Sequence, residues 1–257
     1  MILSEQITGT LASFSKISLE EMDSVKLMDR TDTKYVFSFV RLPDLLANLN
    51  GSYHILEIGG ERAFSYHTTY LDTPGYLFFN QHVTGKLARH KVRFRKYETS
   101  GMTFLEVKKK TNRNRTIKWR IPDDLAPDGT YSAASAEFIG KHVPYQPLDL
   151  KTVLISTFTR MTFMGTGVRE RVTIDYDISY SGTEGKAAGL PSIAVLEVKK
   201  ESFCERSRIT DILKASAIYP AGFSKYCIGN ALLNEQLRTN NLKPALLMIN
   251  KIKNEHH

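Results

Sequence analysis

The sequence contains few of the residues that stabilise small secreted or zinc-binding domains. Cys204 and Cys227 are its only cysteines, which argues against a disulfide framework. Neither they nor the histidines show the spacing of a zinc site. No apolar run approaches the roughly 20 residues of a membrane-spanning helix, and the N-terminus lacks the apolar core of a signal peptide. We therefore expect a cytoplasmic protein without a membrane segment.

The sequence also lacks the two commonest phosphate-binding loops. GTEGKAAG (182–189) is too short for a Walker A loop, and GTGVRE (165–170) lacks the third glycine of a dinucleotide-binding fingerprint. Nucleotide binding of the P-loop or Rossmann type is therefore not expected. The chain nevertheless carries 35 Lys and Arg against 27 Asp and Glu, a formal net charge of +8. This excess predicts an anionic partner.

Hydrophobic periodicity divides the chain into a helical N-terminal lead-in (1–28), a strand-rich domain (29–238) and a helical C-terminal tail (239–257). In the lead-in, Ser18 and Glu21 predict a capping box. Runs rich in β-branched and aromatic residues predict strands near 34–40, 53–58, 63–71, 88–98, 102–110, 115–121, 151–163, 168–179 and 192–200. Helices are expected at about 42–49, 133–141, 207–217, 224–238 and 243–253, with a hairpin loop at 181–192.

These elements together predict the fold class. About nine consecutive strands, joined mostly by short turns, indicate an α+β fold in which an antiparallel β-barrel has helices packed outside it and at both ends. A hydrophobic content of 42% can supply its core. The apolar residues of the C-terminal tail are expected either to pack on the barrel or to bind a partner.

Charged residues occupy alternate positions on at least five of the predicted strands. Because successive side chains of a strand point to opposite faces, one face of each strand collects charge and the other collects apolar residues. The charged positions are Arg89, Lys91, Arg93 and Arg95; Glu106 and Lys108; Lys118 and Arg120; Arg169, Arg171 and Asp175; and Glu197 and Lys199.

Two of these strands share the sequence Leu-Glu-Val-Lys, at 105–108 and at 196–199. Taken alone, each copy predicts a half-buried strand with a solvated outer face. Taken with the other strands, the charged face gathers Arg and Lys with few carboxylates, and unrelieved like charge is destabilising. A bound anion would relieve it, and the planar fork of arginine suits phosphate oxygens.

Closing the sheet would turn the charged faces inward to form a basic tunnel. The apolar faces would then lie outward and need helices to cover Val92, Phe94, Trp119 and Ile174. Within such a tunnel, Glu106 and Glu197 would hold a divalent cation against the phosphate.

Nucleic-acid binding is the other common explanation of basic charge. Single-strand binders interleave exposed aromatic residues with basic ones so that bases can stack. Here Phe94, Trp119 and Tyr176 alternate away from the charged side, so we do not expect a nucleic-acid partner.

Ser224 and Lys225 lie at the start of a predicted helix. Unsatisfied N–H groups and the positive end of the helix dipole would add to the lysine charge and form a phosphate site. Simple N-capping by Ser224 is the alternative.

Several short motifs occur in the order seen in VTC domains, the catalytic polyphosphate polymerase domains named after the vacuolar transporter chaperone complex. They are RTDTKY (30–35), YLDT (70–73), HKVRFRKY (90–97), the two LEVK strands, RVTID (171–175) and FSKY (223–226). Over roughly residues 25–235 the chain resembles this family, and through it the CYTH-like triphosphate tunnel metalloenzymes.

The resemblance implies a tunnel that binds polyphosphate and transfers the γ-phosphate of ATP to the growing chain with Mn²⁺ or Mg²⁺. Matching positions imply catalytic roles for Lys34, Arg93, Arg95, Lys108, Arg160, Arg171 and Lys225. We further assign phosphate binding to Lys91, Lys118, Arg120, Arg169, Lys199 and Ser224. Glu197 and Glu106 are the predicted metal ligands.

One stretch departs from the related CYTH proteins, which open with Glu-x-Glu-x-Lys. The matching positions here are Arg30, Asp32 and Lys34, with one acid. Losing a carboxylate should weaken a second metal site and the activation of water, so we expect transfer to phosphate rather than hydrolysis. An inorganic tripolyphosphatase and a non-catalytic polyphosphate sensor are the alternatives.

Overall fold

The computed structural model describes residues 2–24, 30–113, 115–126, 128–144, 150–183, 185–201 and 207–255. Residues 25–28 of the predicted lead-in and Cys204 lie outside these ranges. The helices are α1 (Ile2–Ala12), α2 (Leu19–Ser24), α3 (Leu42–Leu49), α4 (Leu77–Val83), α5 (Ala133–His142), α6 (Arg208–Ala215), α7 (Lys225–Leu233) and α8 (Lys243–Asn254).

The strands follow the sequence pattern closely. They are β1 (Lys16–Ile17), β2 (Arg30–Ser38), β3 (Tyr53–Leu56), β4 (Phe64–Asp72), β5 (Arg89–Tyr97), β6 (Thr103–Lys110), β7 (Thr116–Pro122), β8 (Lys151–Gly165), β9 (Glu170–Ser181), β10 (Ala187–Leu190) and β11 (Ile193–Glu201). All nine predicted strands are present. β1, β10 and α4 were not predicted, and β10 occupies part of the predicted hairpin loop.

One sheet contains every strand, and its main path runs β2-β11-β9-β8-β4-β5-β6-β7 with antiparallel neighbours. β10 pairs with β9, β3 pairs with the far end of β8, and β1 pairs with β3 in parallel. The prediction of an antiparallel α+β fold is therefore confirmed. The predicted closed barrel is not seen: over the ranges described, no ladder joins β7 to β2, because the seven-residue β7 pairs only with β6.

The sheet nevertheless curls. Lys34 on β2 and Lys91 on β5 line the same cavity, although four strands separate them along the sheet path. This curvature gives the sheet a concave side, here called the inner face, which carries Lys34, Lys91 and the residues that alternate with them. The outer face carries the apolar residues.

Helices cover the outer face as predicted. Val92 and Phe94 are buried in a cluster with Ile139 of α5, and Ile174 is buried in a second cluster with Leu46 of α3. Trp119 is partly buried and stacks on His142 of α5, with 4.4 Å between ring centroids. The core thus lies outside the curled sheet, between strands and helices. In the part of the chain that the structure describes, no helix is long and apolar enough to cross a membrane.

A buried carboxylate joins α4 to α7. The Asp72 carboxylate accepts hydrogen bonds from the backbone N–H groups of Thr73, Phe78 and Phe79 at 2.7–2.9 Å and from the hydroxyl of Tyr226. The YLDT motif therefore serves here to start α4 and to hold the first turn of α7 against it.

We predict that Gly229 is required for α7 to pack on β8 and β9. A Cβ atom at this position would lie 2.5 Å from Tyr180 and 2.7 Å from Leu154. Gly229→Ala should therefore lower the free energy of unfolding by about 1–3 kcal/mol, as other overpacked sites do. Urea-induced unfolding would measure the change.

Gly9→Ala is the matched control, because Gly9 also lies in a helix and nothing lies within 4 Å of its added Cβ. It should raise the free energy of unfolding by roughly 0.5–1 kcal/mol through helix propensity. Similar effects at the two positions would contradict the packing account.

Candidate functional site

The centre of the inner face is an ion-pair cluster around Asp175 of β9. The Arg160 guanidinium on β8 donates two hydrogen bonds to its carboxylate, at 2.5 and 2.7 Å, and the Lys225 ammonium forms an ion pair with it. Asp175 is 4% exposed. Burial opposes its ionisation, but the Arg160 and Lys225 charges outweigh burial and hold its pKa well below the usual range. The alternation of β9 placed Asp175 on the charged face but did not indicate that two cations would meet there.

Two aromatic rings form a platform beside this cluster. Tyr66 of β4 and Phe158 of β8 stack with 5.2 Å between centroids and 2° between planes. Arg160 lies 5.3 Å from both ring centroids, Arg95 lies 5.5 and 6.0 Å from them, and the Lys225 ammonium lies 4.2 Å from the Phe158 centroid. These contacts stabilise and orient the cations without neutralising them. Aromatic residues are therefore present on the charged side, contrary to the expectation from Phe94 and Trp119.

Glu106 of β6 forms the second cluster. It is fully buried, and Arg93 of β5 contacts it through Nε at 2.8 Å and through a terminal nitrogen at 2.6 Å. Lys118 of β7 forms an ion pair with its other oxygen. Burial alone would raise the pKa of Glu106, yet Arg93, Arg95 and Lys118 lower it strongly. On the central strand β6, Glu106 lies in register with Arg93 of β5 and with Arg120 of β7. Basic strands therefore flank it on both sides.

Glu197 of β11 forms the third cluster. Its two oxygens contact the ammonium groups of Lys34, at 3.1 Å, and of Lys199. Asp32 on β2 pairs in register with Lys199 and lines the cavity beside Lys34. Glu197 and Asp32 therefore lie diagonally across one strand pair on the same face. The two Leu-Glu-Val-Lys strands thus both turn their charged residues inward, where each glutamate is paired with two cations.

Among the cations of the inner face, Lys91, Arg95 and Lys108 form no ion pair with any carboxylate that the structure describes. The Arg95 guanidinium is 8% exposed, and its Nε has no hydrogen-bond partner among the described residues. The Lys108 pKa lies well below its usual value, because Arg93 is close and the amine is buried. Burial, with the charges of Lys34 and Arg93 adding to it, lowers the pKa of Lys91 to about 8.

Ser224 is the N-cap of α7, and its predicted role in phosphate binding stays a prediction. Its hydroxyl accepts the backbone N–H of Cys227 at 3.3 Å and so caps α7. It also lies 3.1 Å from the Lys91 ammonium. Lys225, the first residue of α7, is brought to Asp175. Burial, with Arg160 adding to it, lowers the Lys225 pKa to about 8, because Asp175 offsets only part of their effect.

Three predicted residues lie towards the edges of this arrangement. Arg169 precedes β9, its side chain is 69% exposed, and it pairs with Glu201 at 3.2 Å. Arg120 is exposed and lies 4.8 Å from the Phe104 ring. Arg171 donates a hydrogen bond to the Met22 carbonyl at 3.0 Å. The other predicted cations meet on the inner face.

A divalent metal ion such as Mg²⁺ needs oxygen ligands. Within the described ranges, no three His, Cys, Asp or Glu side chains are grouped closely enough to hold one. Glu197 and Asp32 together offer two carboxylates beside the cavity, and Mg²⁺ commonly uses one or two carboxylates with substrate phosphates and water as further ligands. The chemistry of these two donors therefore suits a metal ion that is bound together with phosphate. Glu106, enclosed between Arg93 and Lys118, offers less room for one.

Among solved structures, the chain is similar to a candidate adenylate cyclase from Bacillus halodurans, with 13% identity, a TM-score of 0.49 and coverage of 77% of this chain and 96% of that one. It is also similar to one from Vibrio parahaemolyticus, with 13% identity, a TM-score of 0.46 and coverage of 79% and 99%. A candidate adenylyl cyclase from Hippeastrum with a dominant triphosphatase activity shows 11% identity, a TM-score of 0.48 and coverage of 79% and 96%.

No curated protein sequence matches the chain. The sequence model of one family, described as the VTC domain, matches residues 29–234. This match covers every strand of the main sheet path together with α7, and therefore all of the inner-face clusters. The chain belongs to the VTC domain family.

Proposed function

We propose that this protein is a metal-dependent polyphosphate polymerase that transfers the γ-phosphate of ATP to a growing polyphosphate chain. The observation that carries the proposal is the group of buried or partly buried cations, Lys91, Arg95 and Lys108, for which no carboxylate partner is described. Buried charge without a counter-ion is costly, so this group favours a bound polyanion. Membership of the VTC domain family supports phosphate as that polyanion.

In the proposed step, a terminal oxygen of the polyphosphate chain attacks the γ-phosphorus of ATP. A new P–O–P bond forms, the bond from the γ-phosphorus to the β–γ bridging oxygen breaks, and ADP leaves with that oxygen's electron pair. Such a transfer depends mainly on positioning and on stabilising charge. The nucleophile is already anionic, so no general base is required.

Different residues of the inner face would position the phosphates and stabilise their charge. Arg93, Arg95 and Lys108 would hold the phosphate chain, and Lys118 and Arg120 would extend the path towards β7. Arg171, Arg169 and Lys199 would extend the positive charge towards the ends of β9 and β11. Lys34, Lys91, Arg160, Lys225 and Ser224 would lie around the reacting phosphates.

The proposed metal site consists of Glu197 with Asp32. A Mn²⁺ or Mg²⁺ ion held there by these carboxylates would supply positive charge that stabilises the negative charge of the transferred phosphoryl group. Lys34 and Lys199, which pair with Glu197 in the structure, would then be released to contact phosphate. Glu106 has a different proposed role, because its contacts with Arg93 and Lys118 make it a fixed counter-charge that orients both.

We predict that incubation with ATP and Mn²⁺ yields long polyphosphate on a gel. Glu197→Gln should lower the rate about 10–100-fold, since it removes a negative charge from the proposed metal site, while tripolyphosphate still binds. Glu201→Gln, on the same strand but paired with the exposed Arg169, is the control and should retain activity.

Other outcomes would identify a different function. Release of orthophosphate without polymer would indicate the tripolyphosphatase. Tight binding of polyphosphate without any turnover, whether or not residue 197 is Glu, would indicate the sensor.

We predict that Asp175→Asn lowers the free energy of unfolding by about 3 kcal/mol at pH 7, because it leaves Arg160 and Lys225 buried without their counter-charge. Asp177→Asn, two residues along at an exposed position, should change the free energy of unfolding by less than about 0.5 kcal/mol.

The effect of Asp175→Asn should depend on pH. Folding lowers the Asp175 pKa, so the stabilisation that the ionised carboxylate provides is present above its unfolded pKa of about 4 and is lost as the pH falls. The difference between wild type and Asp175→Asn should therefore shrink in acid. A constant difference would contradict the charge-balance account.

We predict that tripolyphosphate binds more weakly as the pH rises through 8. The Lys91 and Lys225 pKa values are each about 8, so both amines are charged below this pH and neutral above it. At pH 9 about a tenth of each amine stays protonated, which limits the loss to roughly tenfold per lysine between pH 7 and 9. Isothermal titration calorimetry would measure the affinities.

Lys91→Met should bind more weakly at pH 7 and show a shallower decline, while the ligand's own ionisation is common to both proteins. Lys151→Met, at an exposed position at the start of β8, should keep the wild-type decline. Equal slopes for wild type and Lys91→Met would show that Lys91 does not contact the anion.

A further inference from the structure

A row of buried hydroxyl groups crosses the inner face. Thr68 of β4 lies in register with Ser156 of β8, and Ser156 lies in register with Tyr180 of β9. Thr68 also lies in register with Arg95 of β5. Side chains that are directly opposed in a sheet lie on the same face, so all four belong to the inner face. Thr68, Ser156 and Tyr180 are here called the hydroxyl row, and Arg95 lies at its end.

The hydroxyl row has unused hydrogen-bonding capacity. Its three members are buried, and their hydroxyl oxygens have no hydrogen-bond partner among the residues that the structure describes. The same is true of the Arg95 Nε. A buried polar group without a partner costs free energy, and Val or Ala could occupy the positions of Thr68 and Ser156 without that cost. Four such groups side by side therefore favour a ligand that accepts hydrogen bonds.

The charges beside the hydroxyl row favour an anion as this ligand. Phe158 lies two residues from Ser156 on the inner face of β8, and its ring centroid is 4.2 Å from the Lys225 ammonium and 6.0 Å from the Arg95 guanidinium. Burial raises the Tyr180 pKa, so its hydroxyl keeps its proton and can donate. Ser and Thr hydroxyls can also donate. Neutral donors beside two cations are suited to phosphate oxygens.

The inner face is closed beyond the hydroxyl row. Two residues further along their strands, Tyr70 and Leu154 lie in register and are buried in an apolar cluster with Tyr226 of α7. The Tyr70 and Tyr226 ring centroids are 5.0 Å apart, and Gly229 of α7 lies so close to Leu154 and Tyr180 that an added Cβ would collide with both. The end of a phosphate chain could therefore enter this corner, but the chain could not continue over β4 and β8.

We propose that the hydroxyl row and Arg95 bind the terminal phosphate of a linear phosphate chain. The inference rests on the proposed function and names the part of the ligand that this corner recognises. A terminal phosphate presents three acceptor oxygens outside the chain, more than an interior phosphate, and so can use more of the donors in the row. The protein should therefore recognise linear phosphates by their free ends, which cyclic phosphates lack.

Calorimetry with tripolyphosphate and with cyclic trimetaphosphate tests this recognition. Thr68→Val keeps the shape of the side chain but removes its hydroxyl. It should weaken tripolyphosphate binding about tenfold or more, the usual effect of losing a hydrogen bond to a charged group, and leave the weaker binding of trimetaphosphate unchanged. Ser156→Ala should have the same selective effect.

Thr69→Val is the matched control for these variants. Thr69 is the next residue of β4 and is also buried, but it pairs in register with Phe94 on the outer face. This variant should bind both phosphates as wild type does. An equal loss of the linear and cyclic phosphates in Thr68→Val, or no loss of either, would overturn the chain-end site but leave the proposed function standing. If wild type bound neither, the proposed function would fail as well.

Urea-induced unfolding of the ligand-free variants gives an independent measurement. Because the hydroxyl of Thr68 has no partner within the described residues, Thr68→Val should keep or raise the unfolding midpoint while it weakens binding. Ser135→Ala is the comparison, since the buried Ser135 hydroxyl donates a hydrogen bond to Asp123 at 2.5 Å; it should lower the midpoint. A lower midpoint for Thr68→Val with unchanged affinity would assign the row to fold stability and overturn the proposal.

A terminal phosphate occurs both in the inorganic chain and in ATP, and the same variants distinguish the two. A loss confined to tripolyphosphate would support the end of the inorganic chain as the occupant. A matching loss of ATP affinity would support the γ-phosphate of the donor as an occupant of the same site.

Discussion

Mutual repulsion among buried cations is the constraint on which this structure depends. β5, β6, β8 and β11 each direct at least one basic side chain to the concave side, where water cannot fully screen it. Three carboxylates, Asp175, Glu106 and Glu197, each offset two of these cations. The remaining positive charge persists in the folded protein and is the property that a polyphosphate chain would neutralise.

This constraint also determines where the hydrophobic core lies. With charge on the concave side, the apolar side chains of the same strands must be buried on the convex side. Short helices therefore pack around the sheet, and stacked Tyr66 and Phe158 are used inside because their faces attract cations. The arrangement separates stability from ligand binding. The outer layer stabilises the fold by apolar burial, while the charged inner face is available to bind an anionic ligand.

Much of this arrangement could be predicted from the sequence, because a period of two assigns each strand residue to a face. The alternation in HKVRFRKY and in the two LEVK strands correctly placed Arg93, Glu106 and Glu197 on the same face of the sheet. The partners of Asp175 could not be found in this way, since Arg160 and Lys225 reach it from another strand and from a helix, and contacts of that kind depend on register and curvature.

Other differences have equally local causes. α4 has only seven residues and depends on hydrogen bonds to Asp72, which periodicity does not detect. Arg169 fits the alternation of β9, but the strand begins one residue later, so its side chain points to solvent. Closure of the sheet could not be inferred either, because strand periodicity says nothing about whether the first and last strands meet.

The hydrogen bonds of Asp72 have a consequence for how the ligand is recognised. Because one carboxylate holds both the start of α4 and the first turn of α7, Ser224 and Lys225 are already fixed in position before any ligand arrives. Displacing α7 would break the hydrogen bond from Tyr226 to Asp72 and the ion pair of Lys225 with Asp175 together, so little conformational entropy would be lost on binding a ligand. Recognition would then proceed on a preorganised surface, and the free energy gained from each phosphate contact would go into affinity and alignment rather than into ordering the protein.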